Sequence, residues 1–449
     1  MEQYIADANR RRQFSELLRS YRLRRGTTQR QLADLSTVSV RAIRDLEQGR
    51  TGRPRRDTVQ LIADGLGLSG RARIDFGLAA AAGEAVGTTD LTDSYDVEPA
   101  PPPAPLDSLV GRDVEVEVVK DLLVSGSQRL VTVVGLCGVG KTRLAMEVAG
   151  GLHESGGFSV LWRSADDEHG HHRPALSVVG RSEPLRALVR SGLDILCGRG
   201  DGGTAEFASV IGQRPTLLVL DGYPGDQLRT DRVVALLQEC RALRVLITAR
   251  APFEFGGERV FPLAPLEVPS GPFENVARLR DAPSVRLLVR HVRRVQPGFE
   301  VTELNAPAVA ELCRELDGMP AALEAAAMWF MVYGPAALLD RLRADQLDFA
   351  TERTPELADD LRRRMSWLSP AEQSLLDTMA AAGPDWAMAE AVELTGLPAS
   401  ACADLVRRLL LLGLVRPVDG TERTRFQVLR LLRALDDAAP EQKIQTEVV

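Results

Sequence analysis

Residues 135–142 read GLCGVGKT, and this short stretch decides the fold of the middle of the chain. An apolar run, LVTVV, precedes it at residues 130–134, and a helix-compatible stretch, RLAMEVAGGL, follows at residues 143–152. Gly-x-x-x-x-Gly-Lys-Thr between a strand and a helix is typical of a phosphate-binding loop, because backbone N–H groups wrap phosphate oxygens and the lysine reaches the terminal phosphates. The stretch therefore predicts a site for a nucleoside triphosphate.

We refer to residues 135–142 as the P-loop. The predicted cofactor contacts are Gly135, Gly138, Val139, Gly140, Lys141, Thr142 and Arg143, with Mg²⁺ held by the Thr142 hydroxyl. Lysine is rare in this chain: it occurs only at positions 120, 141 and 443, and every other strongly basic residue is an arginine. A compact ammonium placed inside the P-loop favours phosphate binding over a glycine-rich turn that matches by chance.

Composition indicates a multidomain soluble protein with a basic N-terminal segment. The chain has 449 residues, 45% of them apolar, which is enough for about three or more domains with their own cores. Arginine outnumbers acids over residues 10–73, whereas residues 75–109 contain no Lys or Arg. This asymmetry predicts a polyanionic partner for the basic segment alone, and we expect double-stranded DNA.

Five scattered cysteines without a CxxC pair argue against a disulfide framework and a zinc site. The sequence shows neither a signal peptide nor an apolar run long enough to span a bilayer. We therefore expect a cytoplasmic protein without a membrane partner. The cluster His169, His171 and His172 could hold a metal, although adjacent histidines in a polar loop are more often solvated.

The basic segment has the pattern of a helix-turn-helix. Phe14, Leu17, Leu18 and Tyr21 repeat at helical spacing, and Gly26 ends that helix. Residues 28–31, TQRQ, form a capping box that starts a second helix carrying Leu32 and Leu35. Ser39 is the expected N-cap of a third helix, which turns Ile43 and Leu46 inward. The opposite face would then enter the major groove, and it carries Val40, Arg41, Arg44 and Asp45.

Residues 14–78 resemble the lambda-repressor-like (XRE-type) family through TTQRQLADLSTVSVRAIRDLEQGR. The resemblance implies base-adjacent positions at Gln29, Val40, Arg41 and Asp45. Phosphate contacts would come from Arg50, Arg53, Arg55 and Arg56. Asp45 could accept from cytosine or orient Arg41, and we favour the orienting role. The alternative for the whole segment is a small helical bundle that contacts proteins.

Further motifs extend the nucleotide module. Residues 216–220, TLLVL, form an apolar strand that ends at Asp221, where a carboxylate can support Mg²⁺. A second apolar strand, residues 243–248, ends before Ala249 and Arg250. Strands that alternate with helical stretches predict a parallel sheet with the phosphates at its carboxyl edge.

The ordered set LVGRD, GLCGVGKT, LLVLD, RVLITAR, PLAPL, SVRLLVRHVRR and LDGMPAALEAAA resembles the NB-ARC module of STAND signalling ATPases. The resemblance covers about residues 106–437 and implies that Arg112 lies near the adenine. It also implies catalytic roles for Asp221 and Arg250, the latter sensing the terminal phosphate, while Pro320 closes over the nucleotide. Alternatively, Arg250 is an ordinary strand-end arginine and Pro320 an ordinary first residue of a helix.

We expect a multidomain α and α/β protein. The predicted segments are a helix-turn-helix domain (1–78), an acidic Pro-rich linker (79–106), a P-loop domain with a parallel sheet (107–261), a helical ARC subdomain (262–345), a winged helix (357–437) and a tail (438–449). The winged helix is indicated by a capping box at residues 369–372, an apolar helix at 401–412 and a hairpin at 415–428 around Asp419-Gly420. In the family it packs on the nucleotide site. Five arginines would also suit a second nucleic-acid face: Arg407, Arg408, Arg416, Arg423 and Arg425.

Two departures from the family pattern bear on mechanism. No second acid adjoins Asp221, and Asp226 is the nearest candidate, so hydrolysis should be slow at most. The Met-His-Asp triplet of eukaryotic relatives is replaced by Phe426-Gln427-Val428. The sequence favours a nucleotide-switched (ATP/ADP) transcription regulator of the STAND class that self-associates when ATP binds, with an unidentified protein or small-molecule inducer. The alternatives are a signalling or defence ATPase whose N-terminal domain recruits a protein, and a housekeeping hydrolase.

Overall fold

The computed structural model describes most of the chain between residues 14 and 432. The described residues are 14–15, 18–23, 25–48, 54, 56–68, 76, 80, 102–126, 128–165, 183–198, 204–212, 214–224, 227–254, 256–269, 275–344, 355–418 and 424–432. The chain divides into two compact units, Met1–Asp96 with Ser182–Leu185 and Val97–Arg181 with Arg186–Val449.

The first unit is helical. Helical residues 18–23 are followed by α1 (Gln29–Ser36), α2 (Val40–Glu47) and α3 (Arg56–Gly65). The predicted capping box is confirmed, because Thr28 accepts from the Gln31 backbone while the Gln31 side chain accepts from the Thr28 backbone. The Ser39 side chain caps α2 by accepting from the Ala42 backbone. Both helix starts therefore follow from local sequence.

One apolar cluster holds the first unit together. It includes Leu18, Leu32, Ile43, Ile62 and Phe76, which are buried. Leu46 is also buried, as predicted, whereas Leu35 is 54% exposed and lies outside the core. Helix α3 approaches α1 closely, because a Cβ at Gly65 would lie 2.8 Å from the Ser36 Cβ.

The second unit contains a five-stranded parallel sheet. Its strands are β1 (Leu130–Val134), β2 (Ser159–Ser164), β3 (Thr216–Asp221), β4 (Leu243–Ala249) and β5 (Arg259–Pro262). The spatial order is β2-β3-β4-β1-β5, and every pair is parallel. All residues of β1 and β3 are buried, as expected for strands covered on both faces. The parallel sheet predicted from the strand runs is confirmed.

Helices cover both faces of the sheet. They are α4 (Asp113–Val124), α5 (Lys141–Glu154), α6 (Glu183–Leu196), α7 (Ala205–Ile211) and α8 (Thr230–Glu239). One apolar cluster contains buried residues of α4 and α5, and a second contains residues of α6, α7 and α8. The strands thus have apolar neighbours above and below.

A helical segment follows the sheet. It consists of α9 (Val276–Asp281), α10 (Pro283–Val295), α11 (Ala306–Glu315), α12 (Pro320–Met328) and α13 (Pro335–Ala344). The last described segment contains α14 (Pro355–Ser366), α15 (Pro370–Ala382), β6 (Trp386–Ala387), α16 (Met388–Thr395), α17 (Ala399–Leu411), β7 (Val415–Val418) and β8 (Arg425–Val428). Strands β7 and β8 pair antiparallel, so the predicted hairpin is confirmed. The capping box at Ser369 is confirmed as well.

Residues of both these segments share the apolar cluster that contains α4 and α5. The finer division of the second unit into three domains stays our prediction. Among the described residues, no helix combines the length and the apolar character needed to cross a membrane.

Candidate functional site

The P-loop connects β1 to α5. Gly138 and Gly140 adopt φ values of +74° and +104°, a left-handed backbone that favours glycine. The Lys141 ammonium lies over the loop and donates to the carbonyl oxygens of Gly135 (2.9 Å) and Leu136 (2.8 Å). The cation is therefore held at the carboxyl edge of the sheet, where the sequence placed it.

The electrostatics around Lys141 favour an incoming anion. The pKa of Lys141 is lowered to about 8, mainly by burial, and the nearby Arg364 and Arg250 guanidinium groups contribute in the same direction. A negatively charged ligand would offset both effects, because it stabilises the protonated amine.

Two hydroxyl groups and a carboxylate lie close together next to the P-loop. The Thr142 hydroxyl donates to Asp221 Oδ1 at 2.8 Å, and the Thr248 hydroxyl donates to the same oxygen at 2.6 Å. Asp221 is the last residue of β3 and is buried. Hydroxyl and carboxylate oxygens are the ligands that Mg²⁺ prefers, so Thr142 and Asp221 fit the predicted ion.

A cleft of about 590 Å³ opens over the P-loop. The predicted residues that line it are Arg112, Gly138, Val139, Gly140, Lys141, Thr142, Arg143, Arg250 and Pro320. Gly138 contacts α12, because a Cβ there would lie 2.5 Å from the Ala321 Cβ and its carbonyl accepts from the Ala321 backbone at 3.2 Å. The sheet and the helical segment thus share this cleft.

Arg112 is fixed at one wall of the cleft. Its guanidinium donates to Glu115 at 2.7 Å, to the Ala264 carbonyl at 2.6 Å and to the Val139 carbonyl at 3.5 Å. The side chain is buried, and burial lowers its pKa despite the contact with Glu115. Arg143, at the opposite end of the loop, lies 3.8 Å from Glu147.

The structure brings two further residues to the P-loop that sequence reasoning missed. Both come from α14, the helix that opens the last segment. Asp360 accepts from the Cys137 backbone at 2.8 Å, and Arg364 donates to the Gly135 carbonyl at 2.9 Å. Arg364 also donates to Asp360 at 3.1 Å and to the Leu412 carbonyl, and both side chains are at most 1% exposed. We call Asp360 and Arg364 the α14 pair.

Arg250 also lies close to Asp360. It follows β4, is exposed, and its Nε lies 3.7 Å from Asp360 Oδ1. The residue predicted to sense the terminal phosphate therefore contacts the same carboxylate that binds the P-loop backbone. A sequence signal for the α14 pair existed: Asp360 and Arg364 lie four residues apart in register with the buried Leu357 and Leu361.

Of the residues that replace the Met-His-Asp triplet, Gln427 lines a different cavity. Phe426 packs on Trp386, with ring centroids 5.1 Å apart. Gln427 accepts from Arg416 at 2.8 Å, and both line a second cavity rather than the cleft over the P-loop. Arg416 is 7% exposed, so its proposed place on a nucleic-acid face is wrong. Burial next to the hairpin partner Gln427 is the physical reason.

The other arginines of that alternative face are paired where they are described. Arg425 contacts Asp385 at 2.6 Å, Arg408 contacts Glu372 at 2.8 Å, and Arg407 lies 3.8 Å from Asp404. Arg423 lies outside the described residues. These pairs neutralise most of the positive charge that the alternative requires.

The helix-turn-helix surface carries several predicted residues. The Arg41 side chain is 94% exposed, and its Nε lies 4.0 Å from Asp45, at the outer limit of an ion pair; the orienting role of Asp45 stays our prediction. Arg44 is exposed and Val40 is half-buried against the core. Gln29 donates to Glu47 at 2.7 Å, and Glu47 also binds Arg22, so the Gln29 amide connects α1 to the end of α2.

Some predicted residues cannot be placed. Arg50, Arg53, Arg55, Asp226 and the three histidines at 169, 171 and 172 lie outside the described residues, as do the linker 81–100 and the turn at 419–420. Arg56 begins α3.

Comparison with known proteins agrees with the prediction of a helix-turn-helix in the first unit. Residues 13–75 match a family model described as a helix-turn-helix domain. A "Putative HTH-type transcriptional regulator" of Mycobacterium tuberculosis is 31% identical over 318 residues, which cover 68% of this chain and 33% of the relative. The chain thus spans about a third of the length of that relative. An uncharacterized protein of the same species is 29% identical over 297 residues, 64% of this chain and 69% of the relative.

Among solved structures, Drosophila ORC bound to DNA covers 74% of this chain and 88% of its own, with 16% identity and a TM-score of 0.32. Likeness at that TM-score is too weak to indicate a function or a partner. The family match and the homologous regulators do define one class: the chain has an N-terminal helix-turn-helix domain and is homologous to proteins named as HTH-type transcriptional regulators.

Proposed function

We propose that the protein is a transcription regulator whose DNA occupancy is switched by ATP and ADP, and that its second unit is a nucleotide module of the STAND class. The observation that carries the proposal is the hydrogen bond from the Cys137 backbone to Asp360. It joins the predicted phosphate-binding loop to a helix far away in sequence. A change at the phosphates would therefore act directly on the α14 pair.

The chemistry of the P-loop supports a nucleotide rather than another anion. Lys141, two left-handed glycines and the start of α5 provide a cation, backbone donors and a helix N-terminus at one point. Thr142 and Asp221 would hold Mg²⁺, which neutralises charge on the phosphates when bound. Arg250 would sense the terminal phosphate. Arg112 and Pro320 would line the part of the cleft that holds the nucleotide base.

Slow turnover fits a switch better than a housekeeping hydrolase. After Asp221, the described residues 222–224 are Gly, Tyr and Pro, none of which can act as a general base for water at neutral pH. Asp226 remains the candidate base. We therefore propose a nucleotide that is exchanged more often than it is hydrolysed.

For the first unit, we propose major-groove recognition of double-stranded DNA by α2. Arg41 would bind a guanine edge with Asp45, 4.0 Å away, as its orienting partner, while Val40 would contact a thymine methyl. Gln29 and Arg44 would lie at the edge of the same contact. Arg50, Arg53, Arg55 and Arg56 would bind phosphates and add affinity without sequence preference.

Self-association would connect the two units functionally. A single helix-turn-helix covers one half-site, whereas two held together gain effective concentration on a paired site. If ATP promotes assembly of the second unit, ATP tightens binding to paired sites. A tenfold effect needs only about 1.4 kcal/mol of coupling.

The test is a titration of the intact protein on a paired operator, chosen by genome-wide mapping of its DNA occupancy. The titration is run with ATP, with ADP and without nucleotide, and sedimentation follows the mass in parallel. We expect ATP to tighten binding and raise the mass, and Lys141→Ala to abolish both changes while basal DNA binding persists. Identical affinity and mass in all three states would refute the switch. Absent or sequence-independent DNA binding would instead favour the signalling ATPase that recruits a protein.

A further inference from the structure

The second unit contains a cavity of about 700 Å³ that is separate from the P-loop cleft. It lies between the loop after β5, the start of α4 and the β7–β8 hairpin. Of the residues that line the P-loop cleft, it shares Arg112. Its volume falls in the range of about 300–1,000 Å³ that small-molecule sites occupy.

Rigid apolar residues form part of the wall of this second cavity. Six prolines from four stretches of the chain contribute to it: Pro262, Pro265, Pro269, Pro283, Pro384 and Pro417. A proline has a fixed φ and loses little conformational entropy when a ligand is packed against it. The prolines thus give the cavity a preformed part that suits an apolar ligand body, beside a wall of polar and charged side chains.

Arg416 is the polar group that faces this cavity without complete partners. Arg416 is 7% exposed, and its Nη2 donates to Gln427. Its Nε has no hydrogen-bond partner, and among the described residues no carboxylate lies within ion-pair distance of the guanidinium. The Nε is itself closed to solvent, so a ligand in the cavity would not bond that atom. A buried guanidinium with few partners is nevertheless costly, and the negative charge of an anion bound at its accessible side would lower that cost.

Most of the other charged groups around the cavity are paired. Arg430 binds Glu311 at 2.9 Å and Glu315 at 3.1 Å, and Arg112 binds Glu115. Asp385 is paired with Arg425. Glu267 adds a further carboxylate at the wall. One incompletely paired cation among several carboxylates suits a monoanion, whereas a phosphate dianion would be repelled.

We propose that this cavity binds a small organic carboxylate with an apolar body. The Arg416 guanidinium would take the carboxylate, and the Gln427 amide would donate a further hydrogen bond. The ligand would contact the loop after β5, α4 and the hairpin together, so it would stabilise their present arrangement. Through that stabilisation the ligand would also affect the nucleotide switch. This effect rests on the proposed function, whereas binding of the ligand does not.

The experiment measures binding of three probes to the intact chain by calorimetry and thermal unfolding. The probes are benzoate, phenylacetate and hexanoate, and the matched controls are the corresponding amides. We expect at least one carboxylate to bind and raise the unfolding temperature, while its amide does not. Arg416→Gln should weaken that binding about tenfold or more, because a hydrogen bond to a charged group is lost.

Further variants keep the outcome decisive. Val418→Trp, which fills the cavity from the half-buried hairpin, should abolish binding even if Arg416→Gln does not fold. Arg407→Gln, an exposed change on α17, should leave it unchanged. Lys141→Ala should also leave it unchanged, which separates this site from the nucleotide site. Binding that Lys141→Ala removes, binding that survives Val418→Trp, or no binding by any probe would each overturn the proposal.

Discussion

Two buried arginines of the last segment differ in how completely their hydrogen-bonding groups are satisfied. Arg364 is 0% exposed and has three partners: the Asp360 carboxylate and the carbonyl oxygens of Leu412 and Gly135. Arg416 is 7% exposed and has one, the Gln427 amide. A buried guanidinium whose three nitrogens all donate hydrogen bonds holds elements together. One with donors to spare can recognise something else.

The acids near these arginines differ in their ion-pair partners. Asp360 accepts from Cys137 and Arg364, and both partners are close to the P-loop. Asp317 lies near Arg416, is 0% exposed, and accepts from the Leu431 backbone with Oδ2. Oδ1 has no hydrogen-bond partner in either acid, but Asp360 has Arg364 and Arg250 within ion-pair distance, whereas Asp317 has no such cation among the described residues. The α14 pair is therefore a closed ion pair, whereas Asp317 and Arg416 are charges held apart inside the protein.

The largest expected effect is on stability when the closed pair is broken. Arg364→Met removes the guanidinium and leaves Asp360 buried without its cation, so it should cost about 3–5 kcal/mol of unfolding free energy. Urea titration followed by tryptophan fluorescence measures the loss. Asp360→Leu combined with Arg364→Met should recover most of it, because no isolated charge remains. A double variant as unstable as the single one would contradict this account.

The second prediction is a pH dependence at the open pair. Burial raises the pKa of Asp317 to about 6 from its ordinary 3.8. The folded protein therefore binds more protons than the unfolded chain between those values, and stability falls as pH rises through that window. The effect amounts to about 3 kcal/mol, at 1.36 kcal/mol for each pKa unit.

Asp317→Asn should remove this slope, since the amide still accepts from Leu431 and asparagine tolerates the φ of +50°. Urea titrations at pH 4 and pH 7 measure it. The stability of the variant relative to the parent should rise with pH. A difference that stays constant would show that Asp317 keeps its ordinary pKa.

A third, smaller effect distinguishes two roles of Arg250: its contact with Asp360 and its proposed sensing of the terminal phosphate. This side chain is 45% exposed and lies 3.7 Å from Asp360, so Arg250→Gln should cost less than about 1 kcal/mol of stability. If Arg250 senses the terminal phosphate, the same change should lower ATP affinity about tenfold relative to ADP, which is about 1.4 kcal/mol. Calorimetry with both nucleotides decides it, with Arg241→Gln, an exposed change ahead of β4, as control. An unchanged ATP to ADP ratio would leave Arg250 an ordinary strand-end arginine.

The smallest effect sets the baseline for the buried pairs. Arg407 and Asp404 are 69% and 78% exposed and 3.8 Å apart. Arg407→Ala should change the unfolding free energy by about 0.5 kcal/mol or less, since solvent screens such pairs. A loss comparable to that of Arg364→Met would mean that burial does not explain the contrast.

Contiguous motifs account for what could be predicted from the sequence. The P-loop, its strand and helix, and the capping boxes at Thr28 and Ser369 depend on residues a few positions apart, and the structure has all of them. The α14 pair could not be assigned a role, because Asp360 is 223 positions from Cys137. The second cavity could not be predicted for the same reason. The hairpin pattern alone predicts a surface position for Arg416. Tertiary packing, which local patterns do not encode, decides both.

The contact between Gly138 and α12 makes one backbone amide a natural reporter. Pro320 is the first residue of α12 and has no N–H, and the Met319 side chain does not cap the helix. The first amide of the helix, that of Ala321, is instead satisfied by the Gly138 carbonyl, 183 positions earlier in the chain. A peptide group of the P-loop thus does the work of a helix cap. Hydrogen exchange at Ala321 should therefore track the conformation of the P-loop, even though no atom of that residue belongs to the motif.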